Sequence, residues 1–247
     1  MVGVIFALLV PLQYQFGSIL INKYQNEYQP IFALLFDVIR ELNSWFLDKF
    51  IPHVATGDET SAHYVGACAI GIAHTVMICY FLGSSATLET SLLLIALDFF
   101  INIYLTLRIV WIKKRRPKNI QKQIELLQEL ARNESIEFIV PIAFLIAFVL
   151  AYYGPNSELI GDAGATIWQF VAVEDIKETL KMILLFFSID LCSSVVSAII
   201  LWVFCKISLF RACIALQAEY GKVMGTWTGI CLLTVSRMEF FQNDLNC

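Results

Sequence analysis

Runs of mostly apolar residues near the length at which a helix crosses the hydrocarbon core, about 20 residues for roughly 30 Å, recur along this chain. Five stretches meet that length within a few residues: 2–22, 64–82, 91–112, 136–153 and 180–205. Lipid offers no partner to a free backbone N–H or C=O, so such segments must close their own hydrogen bonds as helices. Composition agrees: of 247 residues, 58% are hydrophobic and 15% charged, whereas a soluble domain carries about 45–50% apolar and about 25% charged residues. The expected fold class is all-α, a polytopic transmembrane bundle of five to seven helices forming a single domain over 1–247. The apolar run at 2–22 has no cationic stretch ahead of it and no clear small-x-small cleavage site, so it reads as a first membrane helix rather than a removable leader. The abrupt end at QNDLNC raises the expectation of a shortened chain.

Two further segments can be read in two ways. Segment 31–51 carries Asp37, Arg40, Glu41, Ser44 and Asp48 as one polar stripe on an otherwise apolar cylinder. Such a helix lies in the interface with its charges in water, or spans with the stripe turned toward protein or water; its four charges favour the interface. Segment 209–235 carries Arg211, Glu219 and Lys222, with Gly221, Gly225 and Gly229 at every fourth position. That spacing makes a shallow groove in which another helix can approach closely, and the segment reads as a span.

Orientation follows from Lys113, Lys114, Arg115 and Arg116, which directly follow an apolar run and act as a topology anchor. By the positive-inside bias, 113–134 faces the cytoplasm or its equivalent. Pro117 ends that helix, and Asn119–Glu134 restarts as an amphipathic linker helix with Ile120, Ile124, Leu127 and Ala131 on one side. Lys122 and Glu125, three apart on it, suit a weak surface ion pair.

Several function classes lack their parts. The 17 Lys and Arg are not gathered into an aromatic-interleaved face, so nucleic acid is set aside. Seven cysteines, most of them inside apolar runs, give no disulfide framework or CxxC pair. The histidines, His53, His63 and His74, form no HExxH helix, and no bound metal or cofactor is expected. Without a GxSxG elbow or a Gly-rich phosphate loop, the reading leans away from an enzyme. The expected partners are the lipid bilayer and either further copies of the chain or other subunits of a membrane complex.

What remains is a set of polar groups in places where they are costly. Asp98 sits mid-span, in line with Thr87, Ser91, Asn102 and Thr106, while Glu89 lies opposite. An acid at the centre of a membrane helix costs about 2.5–3.5 kcal/mol on insertion scales, so this stripe is expected to face protein or water. Asp190, Ser193, Ser194 and Ser197 form a second stripe that excludes Ser188, and His74 shares a face with Ala67 and Gly71. Two functions fit. One is a channel or transporter that moves a proton or small cation along Asp98, Asn102, Asp190, Ser194 and Ser197, with His74 as a relay. The other is a non-transporting accessory, receptor or scaffold subunit, packed through the polar stripes and the glycine face. For His74 alone, a satisfied structural histidine is the commoner outcome.

Overall fold

The computed structural model describes residue 13 and residues 29–54, 59–83, 88–116, 118–153 and 176–244. Except for Gln13, the span expected at 2–22 lies outside the described residues. The described residues are helical, without a strand: α1 Gln29–Val54, α2 Glu59–Gly83, α3 Leu88–Arg115, α4 Ile120–Tyr153, α5 Ile176–Ile200, a π-helical turn Leu201–Cys205, and α6 Leu209–Asp244. Three of these helices are long and apolar enough to cross a membrane, through Ala62–Cys79, Glu89–Arg115 and Leu180–Cys205.

Pairs of touching side chains fix how the helices run. Asp48 meets His63 and Asp37 meets His74, so α1 descends along α2 as α2 rises. Thr106 bonds Ser197, and seven residues on Lys113 bonds the Cys205 carbonyl, so α3 and α5 run parallel. Glu134 bonds Ser194 while Phe138 packs on Phe187, which makes α4 antiparallel to α5. The centre of the bundle is α2, packed against α1, α4, α5 and α6. Its sequence VGACAIGIAH permits this, because small residues let neighbouring backbones approach from several sides. A Cβ on Gly66 would overlap Leu47 of α1, and one on Gly71 would come within 2.9 Å of Ile136 Cδ1 of α4.

Helix ends follow local chemistry. Arg116, the residue before Pro117, falls outside α3, as expected where the proline ring disfavours the helical region for its predecessor. Asn119 then caps α4, its side-chain oxygen accepting from the Lys122 N–H at 3.3 Å. After the π-turn the chain reverses at Lys206, whose φ of 56° is left-handed; that geometry costs a non-glycine residue about 1–2 kcal/mol. Two bonds compensate, from the Lys206 N–H to Trp202 and from the Ile207 N–H to Leu201. The ammonium of Lys113 donates to the Cys205 carbonyl, at a helix end where cations are favoured.

The outer surface is apolar and the interior carries the polar groups. Phe100, Tyr104, Leu107 and Trp111 of α3, Leu191, Val195 and Ile199 of α5 and Trp202 of the π-turn are exposed, while Asp98, Asn102, Thr106, Asp190, Ser193 and Ser197 are buried. Ser188 and Glu89 point outward, as their helical phase requires.

The sequence expectations for α4 change. The linker helix and the span 136–153 are one continuous 34-residue helix, α4, with Pro141 inside it. Its buried side is also different: Leu126, Leu130 and Ala131 are buried, whereas Ile120 and Ile124 are exposed. The stripe Leu126, Leu130, Glu134, Glu137, Pro141, Phe144 runs in steps of four and three, and packing of its second half sets the phase for its first turns. In α1, Asp37 and Arg40 turn toward the bundle and Val38, Leu42 and Trp45 turn out. Glu41 and Asp48 alone of that stripe's acids stay exposed. Finally, no described atom lies within 4 Å of where a Cβ would stand on Gly225 or Gly229, and Gly221 meets only its own helix's Gln217. The glycine groove receives no helix from within the described chain.

Candidate functional site

Five helices bring polar side chains to one place inside the bundle. From α3 come Asp98, Asn102 and Thr106, each one turn beyond the last and therefore in line. From α5 come Asp190, Ser193 and Ser197, also on one face. Pro141 of α4 lacks the N–H that a helix would aim at the Glu137 carbonyl, so the usual donor to this backbone oxygen is missing. One and two turns before that proline stand Glu137 and Glu134, both buried. Oxygens of Asp98, Glu137 and Asp190 all lie within 4.8 Å of one another, on three different helices.

Hydrogen bonds tie this centre to its surroundings. The Asn102 amide donates to Glu137 Oε2 at 2.6 Å. The Thr106 hydroxyl lies 2.9 Å from both the Asn102 carbonyl and Ser197 Oγ. Ser194 donates to Glu134 Oε2. On the α1 side, the Arg40 guanidinium is 3.6 Å from Asp98 and 3.5 Å from Asp37, and Asp37 is 3.4 Å from His74 Nε2. The polar network thus runs from His74 through Asp37, Arg40 and Asp98 to the carboxylates of α4 and α5.

The accounting of donors and charges does not close. Neither carboxylate oxygen of Asp190 has a hydrogen-bond partner among the described residues, although only 3% of the residue is exposed. Asn102 Oδ1, Glu134 Oε1 and Ser193 Oγ are likewise buried and unpartnered. A buried polar atom without a partner costs about 1–3 kcal/mol, and more if charged. Five acids, Asp37, Asp98, Glu134, Glu137 and Asp190, are joined by Arg40, so full ionisation leaves −5 + 1 = −4 with His74 neutral. Carboxylates this close relieve their repulsion by taking up protons or a cation.

The structure brings together Asp98, Asn102, Asp190 and Ser197, from the two stripes seen in the sequence. Ser194 reaches the edge of the same cluster through Glu134, and His74 reaches it through Asp37. Lys114, Arg115 and Arg116 lie apart from it, exposed at the end of α3, with Arg115 stacked 5.6 Å over Trp111. Sequence reasoning missed Glu134, Glu137, Asp37 and Arg40 as members. The signal for Glu137 and Glu134 is their place as the two polar positions of the four-and-three stripe, which shows only when Ile120–Tyr153 is taken as one helix. Metal ligation was set aside on histidine and cysteine spacing, whereas this oxygen group draws one carboxylate from each of three helices, a pattern invisible to local spacing.

Neither protein-family models, nor curated proteins, nor solved structures yield a match to this chain. The functional reading therefore rests on geometry and chemistry.

Proposed function

We propose that this is an integral membrane protein that moves a proton or small cation along a polar path through its helical bundle. The observation that carries the proposal is the convergence of Asp98, Glu137 and Asp190, buried between helices whose outer faces are apolar. Ionisable residues inside a membrane bundle are costly and recur where ions or protons pass. In this reading the carboxylates compensate the passing charge, while Asn102, Ser194 and Ser197 supply oxygens in place of water. Arg40 is a tethered counter-charge for Asp98 when no ion is present.

The same reading takes α1, α4 and α6 as further spans, which with 2–22 gives seven, and places the cationic end of α3 and the first turns of α4 on the cytoplasmic side, with Glu134 at the inner limit of that segment. The inward charges and outward apolar face of α1 support it, as does the cationic cluster at the end of α3. A second reading, an accessory or scaffold subunit, draws support from the open Gly225 and Gly229 face, which a helix of another molecule could occupy.

The test is reconstitution in liposomes containing a pH-sensitive dye, comparing wild type with Asp98→Asn. Proton or cation movement above protein-free vesicles, lost in the variant, supports transport. Absence of flux in wild type, together with a co-purifying partner lost on Gly225→Leu, supports the scaffold.

A further inference from the structure

We infer that the cluster of Asp98, Glu137 and Asp190 is a binding site for a divalent cation held through oxygen, with Asn102 Oδ1 as a neutral fourth donor. This rests on the transport reading and names the class of ion that the path carries.

The first support is spacing. Oxygens of the three carboxylates lie within 4.8 Å of one another. Two oxygens on opposite sides of one Ca²⁺ stand about 4.6–5.2 Å apart, at about 2.3–2.6 Å from the ion. Each pair of these oxygens is therefore close enough to share one cation of that size.

The second support is independent of the acids' proximity. Asn102 is fully enclosed, its amide nitrogen is committed to Glu137 at 2.6 Å, and its Oδ1 has no partner. The Asn102 carboxamide that donates to Glu137 carries its unpartnered oxygen on the same carbon, and a buried acceptor beside carboxylates is satisfied by a cation or by a proton-bearing group. Both oxygens of Asp190 pose the same demand. A proton on one carboxylate answers at most one of these acceptors, whereas a metal ion answers several at once.

The third is charge and donor type. The three carboxylates carry three formal negative charges, and the Arg40 guanidinium beside Asp98 is shared with Asp37, so a divalent cation there meets negative charge that the protein does not itself cancel. Among the described residues no thiol or imidazole belongs to the group, since His74 and Cys79 of α2 stand outside it. An all-oxygen set suits hard ions such as Ca²⁺, Mg²⁺ and Mn²⁺ over thiol-seeking ones.

The experiment uses Mn²⁺ as the probe with the full chain in nanodiscs and in liposomes. Binding is read from the loss of the free Mn²⁺ electron-paramagnetic signal, and entry from quenching of a dye inside the vesicles. Saturable binding and entry are expected in wild type, displaced by Ca²⁺ but not by K⁺ at equal ionic strength. Asp190→Asn and Glu137→Gln should abolish saturable binding. Asn102→Ala should weaken it by about 10–100-fold, the range for groups that hold and orient ligands. Variants are scored only where circular dichroism and gel filtration match wild type, and Asn102→Ala, which leaves every acid in place, keeps the test decisive if an acid variant fails to fold. No saturable Mn²⁺ binding in wild type, displacement by K⁺, or binding unchanged in all three variants overturns the assignment. Proton flux without Mn²⁺ binding would overturn the divalent site and leave the transport reading standing. Mn²⁺ binding with no flux of any ion would overturn both the divalent cargo and the transport reading.

Discussion

The side-chain amide of Asn102 donates to the Glu137 carboxylate at 2.6 Å, joining α3 to α4 in the buried centre of the bundle. Through this bond an acid that α4 could not accommodate alone is held beside Asp98 and Asp190.

Asn102→Leu should therefore destabilise the protein by about 1.5–3 kcal/mol, the range for a hydrogen bond to a charged group. Thermal unfolding in detergent, followed by circular dichroism, measures it. Glu137→Gln in the same background should recover part of the loss, since the amide asks less of its surroundings than an unpaired carboxylate. No recovery would mean that the bond carries no more than packing.

Arg40 lies between Asp37 and Asp98. Its replacement by methionine keeps an unbranched apolar stem and leaves Asp98 and the partly buried Asp37 without their cation. A loss of about 3–5 kcal/mol is expected, as for breaking a buried pair from one side. Adding Asp98→Asn should restore a large part of it, giving a coupling in a double-mutant cycle. Strict additivity of the two changes would show that the pair does not interact.

Thr106 and Ser197 join α3 to α5 at 2.9 Å through two neutral hydroxyls. Thr106→Val should cost about 0.5–1.5 kcal/mol, less than either change above because no charge is involved. Equal melting losses for Thr106→Val and Arg40→Met would contradict this ranking.

Two glycines separate packing inside the chain from packing outside it. Gly71→Leu drives a side chain into Ile136 and should cost about 1–3 kcal/mol, partly relieved by Ile136→Ala. Gly225 has open space around it, so Gly225→Leu should leave the melting temperature of the isolated protein unchanged. A drop at Gly225 as large as that at Gly71 would reveal a neighbour helix from a second copy.

The helical class and the two polar stripes were legible in the sequence because they rest on local periodicity. Asp98, Asn102 and Thr106 recur one turn apart, and Asp190, Ser193 and Ser197 share a face, so their burial followed from the cost of exposing them to lipid. That the two stripes meet was not legible, since only the packing of α3 beside α5 brings Thr106 to Ser197. The inward turn of Asp37 and Arg40 depends on where α2 and α3 lie, and a helical wheel of α1 alone fits both water and protein as the partner of that stripe. Glu134 and Glu137 hid at the edge of an expected span, because Leu126 and Leu130 reveal their register only once α4 is seen to continue unbroken.

The most direct measurement is the initial rate of ion movement into liposomes carrying wild type or Asp190→Asn at equal protein density. Asp190 bears the two unpartnered carboxylate oxygens at the centre of the cluster, and its replacement by asparagine changes charge with little change in size. If the buried acids form the ion path, the variant falls to the rate of protein-free vesicles while its helical content and melting behaviour stay close to wild type. Equal rates for the folded variant and wild type would contradict that role.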